Sequence, residues 1–229
     1  MYSIFYIKLE IFLLFFICYI IFLHLCVKFS KLQLNFLDYI YVSMLFLYLL
    51  LRCSLEDLDC SSTVYLFNNH IIFNNTIQLL KTCMVLFFFA YLIIVCNFNN
   101  IIKLPIVEYL VLIFLCFFSL IMIIISNHLF VIFLFLEIVN ICLYCLIGLN
   151  KESNKGIEAA FKYFMQSSFI TIMGFFSVSL IYLYTGTLFL NELAILLNNE
   201  SNFSFLLDFS LYILFFVIFF KLGLFPLHS

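Results

Sequence analysis

Three ionisable side chains, Glu137, Lys162 and Lys221, stand inside long apolar runs of this 229-residue chain. Holding a charge in hydrocarbon costs roughly 2.5–3.5 kcal/mol on insertion scales, so such groups face protein interiors and mark transport pathways. Glu137 has FVIFLFL before it and IVNICLYCLIGL after it, which places it near the middle of its run. A bare carboxylate at that depth takes up a proton, whereas a facing lysine would keep both groups ionised. The chemistry on offer is proton transfer between a carboxylate and an amine. A static ion pair or a helix-to-helix hydrogen bond is the competing reading.

Lys162 lies only seven residues after Lys155, so snorkelling to the headgroups is an equal alternative for it. Lys221 is harder to dismiss, because about eighteen residues of helix, roughly 27 Å, separate it from Phe203. Its helix is interrupted soon after, at Gly223 and Pro226. Broken helices at membrane depth are tolerated only against protein or a wet cavity, and they commonly sit at transport sites. His228 follows, and a ring titrating near neutral pH is a candidate next station for a proton.

The elements that position these groups follow from composition. The chain is 67% hydrophobic and 10% charged, against about 25% charged in soluble domains, which makes it an integral membrane protein. A net charge of −2 without a basic tract argues against nucleic-acid binding. Phe, Ile, Leu, Asn and Tyr are abundant and Trp is absent, a bias suggesting an AT-rich genome such as an organelle's. The expected fold is all-α, a transmembrane bundle of about seven helices. Apolar runs fall at 11–27, 36–51, 82–96, 106–125, 129–149, 157–184 and 203–225, the last broken near Pro226. Residues 188–197 form a short amphipathic stretch carrying Glu192, suited to lying along the interface. Loop lysines Lys28, Lys31, Lys103, Lys151 and Lys155 outweigh Lys8, Arg52 and Lys81 on the opposite side, which puts the N-terminus outside.

Most of the nine cysteines sit in apolar helices as small hydrophobes. Cys142-Leu-Tyr-Cys145 lacks the context of a redox or zinc pair. Cys53 and Cys60 flank a polar loop and are the only plausible disulfide.

The set Leu136-Glu137, Glu158-Ala159-Ala160-Phe161-Lys162-Tyr163-Phe164, Tyr184-Thr185-Gly186-Thr187 and Phe220-Lys221-Leu222-Gly223-Leu224-Phe225-Pro226-Leu227-His228 resembles NADH dehydrogenase subunit 2. That family is an antiporter-like membrane-arm subunit of respiratory complex I. The spacings, 25 residues from Glu137 to Lys162 and 59 from Lys162 to Lys221, fit its pattern. The resemblance is specific over residues 106–229 and weak before them.

The resemblance implies a proton half-channel through Glu137, Lys162 and Lys221, with His228 as the weakest member. It implies residues 1–104 as three N-terminal membrane helices and 105–229 as the first part of the proton-translocating repeat. Family members continue past the Pro-x-His element, so the chain is expected to be the N-terminal part of a split subunit, completed by a separate chain. Other complex I membrane-arm subunits and the lipid bilayer are the expected partners. The expected location is the mitochondrial inner membrane, multi-pass, with the N-terminus on the intermembrane-space side. The chain is expected to hold no cofactor and no metal. FMN, iron-sulfur clusters and ubiquinone are expected in other subunits of the complex.

Two other classes stay open. A subunit of a multisubunit cation/proton antiporter shares the Glu and Lys pattern. A seven-helix receptor shares the helix count, and glycans at the sequons headed by Asn74, Asn199 and Asn202 would mark it.

Overall fold

Runs of twenty apolar residues in hydrocarbon have one economical solution, because every backbone N–H and C=O must find its partner within the chain. The computed structural model describes residues 13–17, 19–20, 63–98, 105–149, 154–199, 205–221 and 223. Among the described residues, helical residues at 13–17 and 19–20 precede six further helices: α1 (Asn75–Phe98), α2 (Ile106–Ile125), α3 (Leu129–Ile147), α4 (Asn154–Thr185), α5 (Leu190–Asn199) and α6 (Phe205–Lys221). Four of them, α1 to α4, are long and apolar enough to cross a membrane. The expected multi-pass helical bundle is therefore the observed architecture. The run at 36–51, Arg52, Cys53, Cys60, Pro226 and His228 lie outside the described residues.

Helix ends follow the local sequence. Pro105 caps α2 with φ −69° and Glu108 sits in the first turn, which complements the positive end of the helix dipole. Asp208 and Lys221 do the same for the two ends of α6. Gly186 at φ +72° stops α4, donating its N–H to the Tyr182 carbonyl at 2.9 Å, a left-handed cap that glycine adopts without strain.

The third run begins earlier than hydropathy suggests. α1 starts at Asn75 and takes in Gln78 and Lys81, both buried. Lys81, counted above among the loop cations, is 1% exposed, with its Nζ 4.8 Å from the centre of the Phe73 ring. The preceding polar stretch holds two short antiparallel strands, β1 (Val64–Leu66) and β2 (Ile71–Phe73), a departure from a purely helical chain. Their branched and aromatic residues suit a strand pair. The connecting loop carries Phe67, Asn68 and Asn69 at φ 50°, 52° and 68°. Asparagine tolerates that region, but Phe67 pays roughly 1–2 kcal/mol for it.

Among the described residues, two larger cores and a small one around Phe73 and Ile125 hold the elements together. The first packs 13–20, α1 and α2 through interlocked phenylalanines, with Phe88 stacked on Phe117 at 4.1 Å and edge-on to Phe114 at 5.2 Å. The second joins α3, α4 and α6 around Phe133, Ile170, Val178 and Val217, with Leu193 of α5 reaching into it. α2 packs on α3, α3 on α4 and α4 on α6. The inner face of α4 is lined by Ser167, Thr171, Gly174 and Ser177, small residues that let helices approach closely. The hydroxyls return to their own helix: Ser167 donates to the Phe164 carbonyl, Thr171 to Ser168 and Ser177 to Gly174.

The connections at one end of α3 are tied together. Asn127 donates its backbone N–H to the His70 carbonyl at 2.8 Å and its side-chain amide to the Asn69 carbonyl at 3.1 Å. Leu129 donates to the Leu188 carbonyl and Leu190 to the Asn127 carbonyl, each at 2.9 Å. Burial first, and His70 second, hold the His128 imidazole below the usual histidine range.

Gly174 gives the closest of these contacts. A Cβ built there would stand 2.5 Å from Cε1 of Phe133. Gly174→Ala would gain about 1 kcal/mol of helix propensity, against an overpacking cost of roughly 1–3 kcal/mol. Because the ring is wedged between α3 and α4, the steric term is expected to win. Thermal unfolding in lipid nanodiscs should show a lowered midpoint for Gly174→Ala, partly restored by adding Phe133→Leu. A raised midpoint in the single variant would contradict the packing described.

Candidate functional site

Polar residues in α3, α4 and α6 converge on one cavity of about 240 Å³. α3 contributes Asn140, α4 contributes Tyr163, Gln166 and Ser167, and α6 contributes Lys221, with Leu136, Val139, Leu143, Ile170 and Phe220 completing the walls. The volume has room for several waters, and its polar wall groups give them partners.

Lys221 is the unusual group. Its Nζ has no accessible surface and no hydrogen-bond acceptor among the described residues, and it lies 6.0 Å from the centre of the Phe133 ring. That distance is at the limit of a cation–π contact. The ring is itself held in place by the notch at Gly174, so the glycine of α4 sets the wall beneath the lysine of α6. Glu137, half-buried on α3, accepts a hydrogen bond from the Asn140 side-chain amide at 3.3 Å and acts on Lys221 through space. Glu137 and Lys221 form no direct salt bridge, and Asn140, the partner of Glu137, lines the cavity that Lys221 lines.

Lys162 is placed differently. Its Nζ pairs with Glu158 Oε1 at 2.7 Å, one turn away, with the two side chains 71% and 65% exposed. It therefore points away from the cavity and forms no ion pair with Glu137 among the described residues. The structure brings together Glu137 and Lys221 of the sequence-derived set, and turns Lys162 outward.

Sequence reasoning passed over Asn140, Phe133, Gln166 and Ser167. Phe133 and Asn140 stand four residues before and three after Glu137, one turn either way on the same helix face. A polar residue at that spacing inside an apolar helix is the signal that would have found Asn140. Nothing in the sequence says that Phe133 underlies a lysine 88 positions later.

Fold and site define the class first: a multi-pass helical membrane protein with a buried amine facing a polar cavity. Residues 126–229 match the family model described as NADH:quinone oxidoreductase/Mrp antiporter, transmembrane. NADH-quinone oxidoreductase subunit N of Azoarcus sp. strain BH72 is 34% identical over 121 residues, which cover 53% of this chain and 25% of that protein. NADH-ubiquinone oxidoreductase chain 2 of Dictyostelium citrinum is 34% identical over 105 residues, 45% of this chain and 21% of that one. The matched segment thus spans about a quarter of the length of these curated relatives. Among solved structures, a chain of respiratory complex I from Thermus thermophilus superposes with a TM-score of 0.72 at 19% identity, covering 96% of this chain and 45% of that one. A chain of the archaeal membrane-bound sulfane sulfur reductase superposes with a TM-score of 0.68 at 21% identity, covering 98% and 45%. The sequence match to the family model is thus confined to residues 126–229, and the two solved chains share the fold.

The unpartnered amine carries a stability consequence. A buried cation in hydrocarbon costs about 3 kcal/mol when nothing offsets it, so Lys221→Met is expected to leave the thermal midpoint of the chain in nanodiscs unchanged or higher. A structural cation would behave oppositely. A marked drop in the midpoint of Lys221→Met would show that Lys221 holds the bundle together.

Proposed function

We propose that this chain is a proton-translocating membrane-arm subunit of respiratory complex I, carrying part of a proton half-channel. The observation that carries the reading is the Lys221 amine, unpartnered and within electrostatic reach of Glu137 at a cavity large enough for water. Lys221 is the proton carrier in this reading. Glu137 is the movable counter-charge, and Lys162 and His228 are further members of the route.

When the carboxylate is near, it holds the ammonium proton. When helix motion separates them, the ammonium loses the charge that stabilises it, and the proton passes to a water or side chain lining the cavity. Carrying one charge through the full potential is worth about 2.3 kcal/mol per 100 mV, so the driving energy must come from elsewhere in the complex. NADH oxidation and quinone reduction supply it, and the FMN, iron-sulfur clusters and ubiquinone lie in other subunits. The chain itself does no redox chemistry.

Other membrane-arm subunits are the partners in this reading. The mitochondrial inner membrane and an N-terminus on the intermembrane-space side complete the proposal. Under it, residues 1–104 precede the first part of the transport repeat at 105–229. The family description also names the Mrp antiporter, and that reading shares the proton site while replacing the redox partner. Co-purification with NADH dehydrogenase activity separates the two.

Two substitutions test the assignment. Glu137→Gln keeps size and hydrogen bonding but removes the charge, so assembly is expected to survive while coupled turnover falls. Lys221→Arg is expected to be nearly as damaging as Lys221→Met, because a guanidinium stays protonated and cannot pass a proton on. The measurement is quinone-coupled proton uptake at equal assembly. Full pumping in Glu137→Gln, or in the arginine variant beside an inactive methionine variant, defeats the proposal.

A further inference from the structure

Apart from the charged cavity, a second group of buried polar atoms lies where three connections meet: the β1–β2 loop, the α2–α3 turn and the α4–α5 loop. His70, on the loop, and His128, preceding α3, have ring centres 4.8 Å apart and planes inclined at 47°. Phe189 packs against both rings, at 5.2 Å from His70 and 5.1 Å from His128. Nδ1 of His70, Nδ1 of His128 and Oδ1 of Asn127 are all buried, and none has a hydrogen-bond partner. Buried polar atoms are almost always satisfied, and each exception calls for an explanation such as an ion or an ordered water.

All three atoms can present a lone pair. Two imidazoles bound to one ion at about 2.0–2.1 Å place their ring centres about 5 Å apart. The observed separation agrees. We infer that this junction is a divalent transition-metal site, with His70 and His128 as imidazole ligands and Asn127 Oδ1 as an oxygen ligand.

The surroundings favour such a site. The Asn127 backbone is fixed by hydrogen bonds from two directions and its amide nitrogen is held by the Asn69 carbonyl, which leaves the amide oxygen free to coordinate. A cavity of about 220 Å³ opens beside Asn127, and its wall includes Glu192, an anionic approach for a cation. Paired imidazoles select the later first-row ions, Zn²⁺ and Cu²⁺ above Mg²⁺ or Ca²⁺, which prefer oxygen. With no thiolate or carboxylate among the three ligands, binding is expected to be micromolar. Sequence motifs for zinc could not reveal the site, because the two histidines are 58 residues apart and meet only in the fold.

The test is a Zn²⁺ titration of the full chain in lipid nanodiscs, read by competition with a chromophoric chelator. One Zn²⁺ per chain is expected, with affinity falling at least about tenfold in His70→Gln and in His128→Gln and unchanged in His24→Gln. Equal binding by the wild type and the His70→Gln, His128→Gln double variant overturns the site. Should the variants fail to fold, zinc X-ray absorption on the wild type decides. Multiple scattering from two imidazoles supports the assignment, and a shell without imidazole refutes it.

Discussion

Hydrocarbon offers no hydrogen bonds, and the rest of this structure can be read as a response to that fact. Helices satisfy the backbone internally. Serines and threonines on inner faces turn their hydroxyls back to carbonyls three residues earlier, so they contribute small size without an unsatisfied donor. Because lipid tails are as apolar as leucine, helix association depends on close fit, and the meeting of Gly174 with Phe133 is such a fit. The fit in turn shapes the wall beside Lys221. Against this background of satisfied groups, an amine without an acceptor is a departure from the rule, and that contrast is why it reads as functional.

The charge distribution separates two kinds of intramembrane lysine. Lys162 has its partner one turn away on its own helix, an arrangement that neutralises it wherever the helix faces. Lys221 has no such neighbour, and its environment is set by residues from three helices. Movement of α3 relative to α6 would therefore change the surroundings of Lys221 and leave those of Lys162 intact. A proton route needs a group of the first-mentioned helix-local kind less than it needs one whose environment can be switched.

Glu137 and Lys221 were legible in the sequence because a charge inside an apolar run is costly wherever it lands, so no tertiary information is needed to notice it. The Thr185-Gly186-Thr187 stop was legible for a similarly local reason, since glycine alone enters the left-handed region freely. The two readings of Lys162 stayed open because periodicity gives the angle of a residue on its helix without saying which neighbour stands at that angle. The start of α1 was placed too late because Asn74, Asn75, Thr76 and Gln78 lower hydropathy without interrupting the helix. They lie beside a strand pair whose Phe73 ring covers Lys81, and hydropathy cannot register cover supplied by another element. His70 and His128 come from different connections, and the hydrogen bonds of Asn127 help to bring them to one place.

The Phe133 ring occupies the notch left by the missing side chain of Gly174, so it cannot rotate about its own axis unless α3 and α4 first move apart. Ring rotation becomes a clock for that separation. Phe130 and Phe175 lie on the same interface, with Phe175 touching both other rings, but neither is seated in a glycine notch. Two populations of phenylalanine on one helix pair would then differ in flip rate, and the slower would time the breathing of the wall beside Lys221.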